Sequence, residues 1–280
     1  MDQTTYEKLS PEQKWEKATI ANNFIFYKVM HNNPDVCKEL LEILLEIKID
    51  HIDIKQEEEI QIDYGKKGIR MDVYAIGETK AFNLEMQATD TQELPERSRY
   101  YLGCCDVDSL LAGGKYKDLK DTYIIFICIP DIFNGGLCKY KFENLCVDNP
   151  KIKLNDRAYK YFFIAENYAK LQNERQKAFL KLVIDNQPTN AFGDKITKLV
   201  DDAKRNTQWR KQFMDWEIEK AYSFDAGKEE GRIEGMQAKA EEDAIQFLKE
   251  GDSPEKISRC IGLPLEQVKE LKEKLDTAKA

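Results

Sequence analysis

Asp72, Glu85 and Gln87 are the residues whose types and spacing suggest chemistry. "FNLEMQ" (82–87) sets Asn83, Glu85 and Gln87 on every second position of a strand, with Phe82, Leu84 and Met86 facing the other way. Glutamate is a poor strand former, so Glu85 needs a reason to be there. Asp72 interrupts a second apolar stretch, "IRMDVYAI" (69–76), and "GETK" (77–80) is a turn-length connection. If the two strands pair antiparallel about Glu78–Thr79, Asp72 opposes Glu85 and Arg70 opposes Gln87. Opposed Cβ atoms lie about 4.5–5.5 Å apart, and like charges there repel unless something cationic sits between them. Two carboxylates and a nearby backbone carbonyl suit a hard ion such as Mg²⁺. Two solvated carboxylates on an exposed face are the other reading, and a one-residue slip would part the pair.

Several elements must position these residues. "SPEQKWEKATIANNFIFYKVMHNN" (10–33) reads as a helix capped by Ser10, with Pro11 first and Gln13 completing a capping box. A second helix starts at Pro34, its apolar residues recurring at three and four. "EIQIDY" (59–64) alternates as a strand ahead of the hairpin. After Pro95, "ERSRYYLGCCDVDSLLAGG" predicts a helix ending at Gly113–Gly114. "DTYIIFICIP" (121–130) is a strand of the kind buried on both faces, and 139–145 and 158–165 predict two more. From about residue 168 the pattern is helical and charged. Gly227, Gly231 and Gly235 leave one smooth helical stripe, which admits a partner helix but costs roughly 1 kcal/mol per glycine. Gly251, Ser253–Pro254, Gly262 and Pro264 punctuate two short helices resembling a helix-turn-helix. The expected organisation is a domain over 1–167, a helical extension over 168–235 and a small helical region over 236–280.

Bulk properties narrow the chemistry. A net charge of −8 argues against coating DNA nonspecifically, yet residues 61–170 are neutral with clustered cations. Lys66, Lys67 and Arg70 form one cluster, Arg97 and Arg99 a second; Lys115, Lys117 and Lys120 form a third, Lys151 and Lys153 a fourth. These would build either a local phosphate-binding face or an ordinary solvated surface, the latter favoured for Lys115, Lys117 and Lys120. Seven cysteines without a CxxC pair argue against a zinc site, and Cys128 and Cys146 read as small buried hydrophobes. Only His31 and His51 are present, neither in a nucleophile-like context, and no glycine-rich phosphate loop occurs. The longest apolar run, "YIIFICI", is too short to span a membrane, and the first residues lack a secretory pattern. A cytoplasmic location without membrane partners is expected.

D-x(12)-E-x-Q on a hairpin, after an α-β start and before an α-β finish, resembles the PD-(D/E)xK nuclease fold. That restriction-endonuclease-like α/β core is a central mixed sheet flanked by helices, here with an all-α C-terminal extension. More narrowly the chain resembles the recombination-promoting nuclease (Rpn), transposase-like branch. "NNFIFYKVM", "LPERSRYYLGCCDVDSLLAGGKYKDLKDTYIIFI" and "IGLPLEQVKEL" are similar to segments of that branch in the same order. The resemblance implies Mg²⁺- or Mn²⁺-dependent hydrolysis of DNA phosphodiesters, linked to recombination or mobile elements. Asp72, Glu85 and the carbonyl of Met86 would hold the metal. Gln87 stands where the wider superfamily has lysine, and Arg70 would supply the missing charge. Arg97, Arg99, Tyr100, Lys66 and Lys67 would contact nucleic acid. One departure is Asn23, where the family usually carries Asp; Glu42 or Glu46 would then replace that carboxylate. The alternative is a catalytically weak nuclease-fold module that binds DNA or protein. Its C-terminal helices, without a basic excess, would favour protein contact, including a homo-oligomer.

Overall fold

The computed structural model describes residues 6, 8–55, 72–89, 92–110 and 113–277. The chain forms two compact units, 1–213 and 214–280. The first begins with three helices, α1 (Pro11–Lys17), α2 (Asn23–His31) and α3 (Pro34–Leu45). Ser10 and Gln13 make the predicted capping box. The single helix expected over 10–33 is broken in two, because Asn22 caps a new start by accepting from the Ile25 N–H. Thr19 holds the intervening bend through the Ala21 N–H. No proline or glycine marks that break.

Six strands among the described residues form one mixed sheet in the order β1-β2-β3-β4-β6-β5. They are β1 (Asp53–Ile54), β2 (Val73–Ile76), β3 (Lys80–Gln87), β4 (Asp121–Cys128), β5 (Lys139–Phe142) and β6 (Ala158–Ile164). β2 and β3 are antiparallel, and β3, β4 and β6 run parallel. α4 (Leu94–Ser109) joins β3 to β4, as parallel neighbours require a crossover. It ends before the glycines, at Leu110, whose N–H reaches Asp106 O. The strand expected over 59–64 and the first residues of 69–76 lie outside the described residues.

β4 is central, and its apolar run is buried on both faces as read. On one face, Tyr74, Ala81, Ile124, Phe126 and Phe162 pack beneath Leu94, Tyr101, Cys104 and Cys105 of α4. Val73, Phe82, Leu84, Met86, Ile125, Ile127 and Phe163 alternate with these and are equally buried. Cys128 is buried as expected, but Cys146, on the open arm beyond β5, is half-exposed. Lys120 is no plain surface lysine: its Nζ donates to Gly77 O at 2.8 Å and pins the β2–β3 turn.

Helices α5 (Glu174–Asp185) and α6 (Ala191–Arg205) follow. α7 (Thr207–Glu250) is a single 44-residue helix containing all three striped glycines. In the second unit, α8 (Pro254–Ile261) and α9 (Leu265–Thr277) are separated by Gly262 at φ +82°. Ala244, Ile257, Leu263 and Val268 form its small core. No helix among the described residues is long and apolar enough to cross a membrane.

Candidate active site

The hairpin has the register that the sequence predicts. Val73 pairs with Leu84 and Ile76 with Ala81, so one further step sets Asp72 opposite Glu85. Each carboxylate is also tied to the other strand's backbone. The Asp72 N–H donates to Glu85 Oε1 at 3.0 Å, and the Met86 N–H donates to Asp72 Oδ2 at 3.0 Å. These two backbone hydrogen bonds fix the orientation of both carboxyl groups.

Glu85 is 3% exposed, so a solvated carboxylate face is excluded. Burial first, and the Asp72 charge second, hold its carboxyl well above the ordinary carboxylate range. Three contacts act the other way: the Asn83 side chain, the Asp72 N–H and Arg97. Asn83 Nδ2 donates to Glu85 Oε1 at 2.8 Å, and Asn83 is itself fully buried. The polar alternation of β3 thus faces the interior beneath α4.

Arg97 sits one turn into α4 and reaches back over the strand. One guanidinium nitrogen donates to Gln87 Oε1 at 3.2 Å; the other lies 3.5 Å from Glu85 Oε2 and donates to the Tyr101 hydroxyl at 3.1 Å. Its plane lies over the Tyr101 and Phe126 rings, at 5.4 and 5.6 Å. Gln87 Nε2 donates to Thr89 O at 2.6 Å. Asp72, Glu85, Gln87 and Arg97 therefore meet in one place. Arg70, Lys66 and Lys67 lie outside the described residues. Arg99 and Tyr100 are exposed on α4. Glu42 and Glu46 are engaged elsewhere, Glu42 by the Ile49 N–H and Glu46 by Lys139 and Asn173.

Sequence reasoning treated Arg97 as a phosphate contact and missed its place beside Gln87. The signal was available: Arg97 and Tyr101 are one helical turn apart, on a helix that must return over β3. Asn83 was visible as the preceding residue on the Glu85 face.

The donor set fits a divalent cation. Among the described residues no group of three or more His, Cys, Asp or Glu side chains could hold a metal; the hairpin itself contributes the Asp72 and Glu85 carboxyl groups. Mg²⁺ is commonly bound by one or two carboxylates, water and substrate phosphate. Two facing carboxyl groups, one of them buried, offer oxygen donors of the kind such a hard ion takes.

The family model described as PD-(D/E)XK nuclease family transposase matches residues 21–251. No curated protein and no solved structure matches the chain. The match spans α2 and α3, the carboxylate hairpin, α4 and the parallel strands. On that match and this mixed sheet flanked by helices, the chain belongs to the PD-(D/E)XK nuclease family transposases, and its function is nuclease-like and transposase-related.

Proposed function

We propose that the protein is a metal-dependent DNA endonuclease of the Rpn branch, hydrolysing phosphodiester bonds in recombination or mobile-element processes. The observation that carries this reading is the carboxylate pair Asp72 and Glu85, locked across the hairpin with Arg97 beside it. Asp72 and Glu85 would hold a divalent ion, Mg²⁺ or Mn²⁺, with the Met86 carbonyl as a further donor. The chemistry supplied by such an ion would be Lewis-acid polarisation of the scissile phosphate and a lowered pKa for an attacking water.

The chain's own residues do the rest. Glu85 is kept in one orientation by Asn83 and the Asp72 N–H. Gln87 cannot supply charge, only hydrogen bonds. Arg97 supplies the charge instead, and its fork suits a phosphate oxygen as well as a carboxylate. This assigns to Arg97 the part first expected of Arg70. Arg99 and Tyr100, exposed on the same helix, contact the flanking backbone and bases.

A plasmid-nicking assay with Mg²⁺ and with EDTA tests the reading. Wild type should nick only with the metal, and Asp72→Ala should not nick. Equal nicking by Asp72→Ala, or none by wild type, would remove the enzyme and leave a binding module.

A further inference from the structure

A cavity of about 290 Å³ opens between α4 and the β5–β6 edge of the sheet. Three aromatic rings form its corner. Phe133 meets Phe162 edge-on at 5.0 Å and 90°, Phe142 meets Phe162 at 5.8 Å and 86°, and Phe133 lies 5.3 Å from Phe142. Phe162 is buried, whereas Phe142 is 43% exposed and has one side open. Ser98, Asn144, Lys160 and Glu143 add polar groups to the lining, and the Glu143 carboxylate is paired with Lys153 and Lys141. The Ser98 hydroxyl is spent as a donor on Pro95 O and offers only lone pairs. Lys160 is half-buried and, among the described residues, has no hydrogen-bond or ion-pair partner.

The cavity is connected to the carboxylate site through the sheet. Glu85 is in register with Phe126, and Phe126 with Phe162. Two strand spacings place the Phe162 backbone about 10 Å from that of Glu85. Phe126 stacks flat on Phe162, at 5.3 Å and 7°, and carries the Arg97 guanidinium near its other neighbour. The first turns of α4 thus lie between the two sites: Arg97 serves the carboxylates, and Pro95 and Ser98 line the cavity.

We propose that this cavity is a base subsite, taking one unstacked nucleobase from the strand held at Asp72 and Glu85, with Lys160 on an adjoining phosphate. The proposal rests on the nuclease reading above. The chemistry is specific on three counts. A flat ring can stack on one wall while the perpendicular rings meet its edge. Asn144, whose Nδ2 donates to Asp156 Oδ2 at 2.6 Å, keeps its Oδ1 as an acceptor for a base edge. An unpaired lysine beside an aromatic pocket matches a ligand that is both planar and anionic. The volume, at the low end for ligand pockets, suits one base and its sugar edge.

The test is fluorescence anisotropy in EDTA, where no cleavage occurs, with two labelled probes of equal length: oligothymidylate and an oligonucleotide of abasic residues throughout. Wild type should bind oligothymidylate at least about fivefold more tightly, the low end for one stacked base. Phe142→Ala should abolish most of that preference. Lys160→Ala should weaken both probes alike and lower the salt slope by about 0.7. Ala158→Leu, which fills the cavity from β6, should act like Phe142→Ala and guards against a folding defect in either variant. Equal binding of the two probes by wild type, or an undiminished preference in both cavity variants, overturns the subsite. Thymidine monophosphate competing as well as oligothymidylate also overturns it, in favour of a free-nucleotide site. Failure of both probes to bind overturns the subsite, and the nuclease reading falls with it only if wild type also fails to nick with Mg²⁺. Metal-dependent nicking without base preference removes the subsite alone.

Discussion

The hairpin and the long helix α7 use the same charged residue types to opposite ends. On β3, Glu85 is buried, opposed by Asp72, and met by one arginine at 3.5 Å. On α7, Glu229 pairs with Arg232 at 2.6 Å, and Lys239 with Glu242 and Asp243 at 3.1 and 3.0 Å. The α7 contacts are shorter, yet they matter less. Exposed pairs gain little in high dielectric and are screened by salt. The looser contact at Glu85 lies in a dry environment, where an unbalanced charge is costly and can be put to work. Burial, not contact distance, separates a site from a surface.

The largest expected effect of breaking this contrast is on catalysis. Arg97→Ala should lower the nicking rate about 100-fold, the low end for loss of one group that stabilises developing charge. Arg97→Lys should restore part of it, because the charge returns but the fork between Gln87 and Glu85 does not. Nicking unchanged by Arg97→Ala would return the missing charge to Arg70 or another group.

A second effect sharpens the contrast through pH. Glu85 is shifted upward in the fold, from an unfolded value of about 4.3. Between those two values the folded state binds the extra proton, so stability declines as pH rises through the window and levels off above it. Urea denaturation of the EDTA-treated protein should show this decline, and Glu85→Gln should flatten it. An identical pH slope in the two proteins would mean that Glu85 does not carry the shift.

Much of this was legible in sequence because period-2 and period-3.6 patterns report burial directly. The apolar run of β4, the capping box at Ser10 and the Gly262 stop all follow from such local rules. The hairpin register followed from a two-residue turn, which leaves little freedom. Less legible was anything set by a crossover. Arg97 reaches Gln87 only because α4 folds back over β3, a relation between residues ten apart that periodicity does not encode. The break at Ala18–Asn22 was hidden for a different reason: Asn22 and Thr19 turn the chain by side-chain hydrogen bonds within an otherwise helical pattern. The aromatic corner at Phe133, Phe142 and Phe162 joins three separate segments, so no single stretch announced it.

The smaller effects belong to α7. Gly231 is exposed, and a Cβ built there meets nothing within 4 Å. Gly231→Ala should therefore stabilise the isolated chain, by up to about 1 kcal/mol, through helix propensity alone. Thermal melting at two protein concentrations distinguishes that outcome from a seat for a second copy. In the latter case the added methyl would weaken close packing, and the loss would grow with concentration. Lys239→Ala should be smaller still, with no resolvable change in melting midpoint despite removal of two ion pairs. A clear destabilisation by Lys239→Ala would show that the α7 charges are sheltered by something that exposure on a single chain does not reveal, and the division between a buried site and a solvated helix would have to be redrawn there.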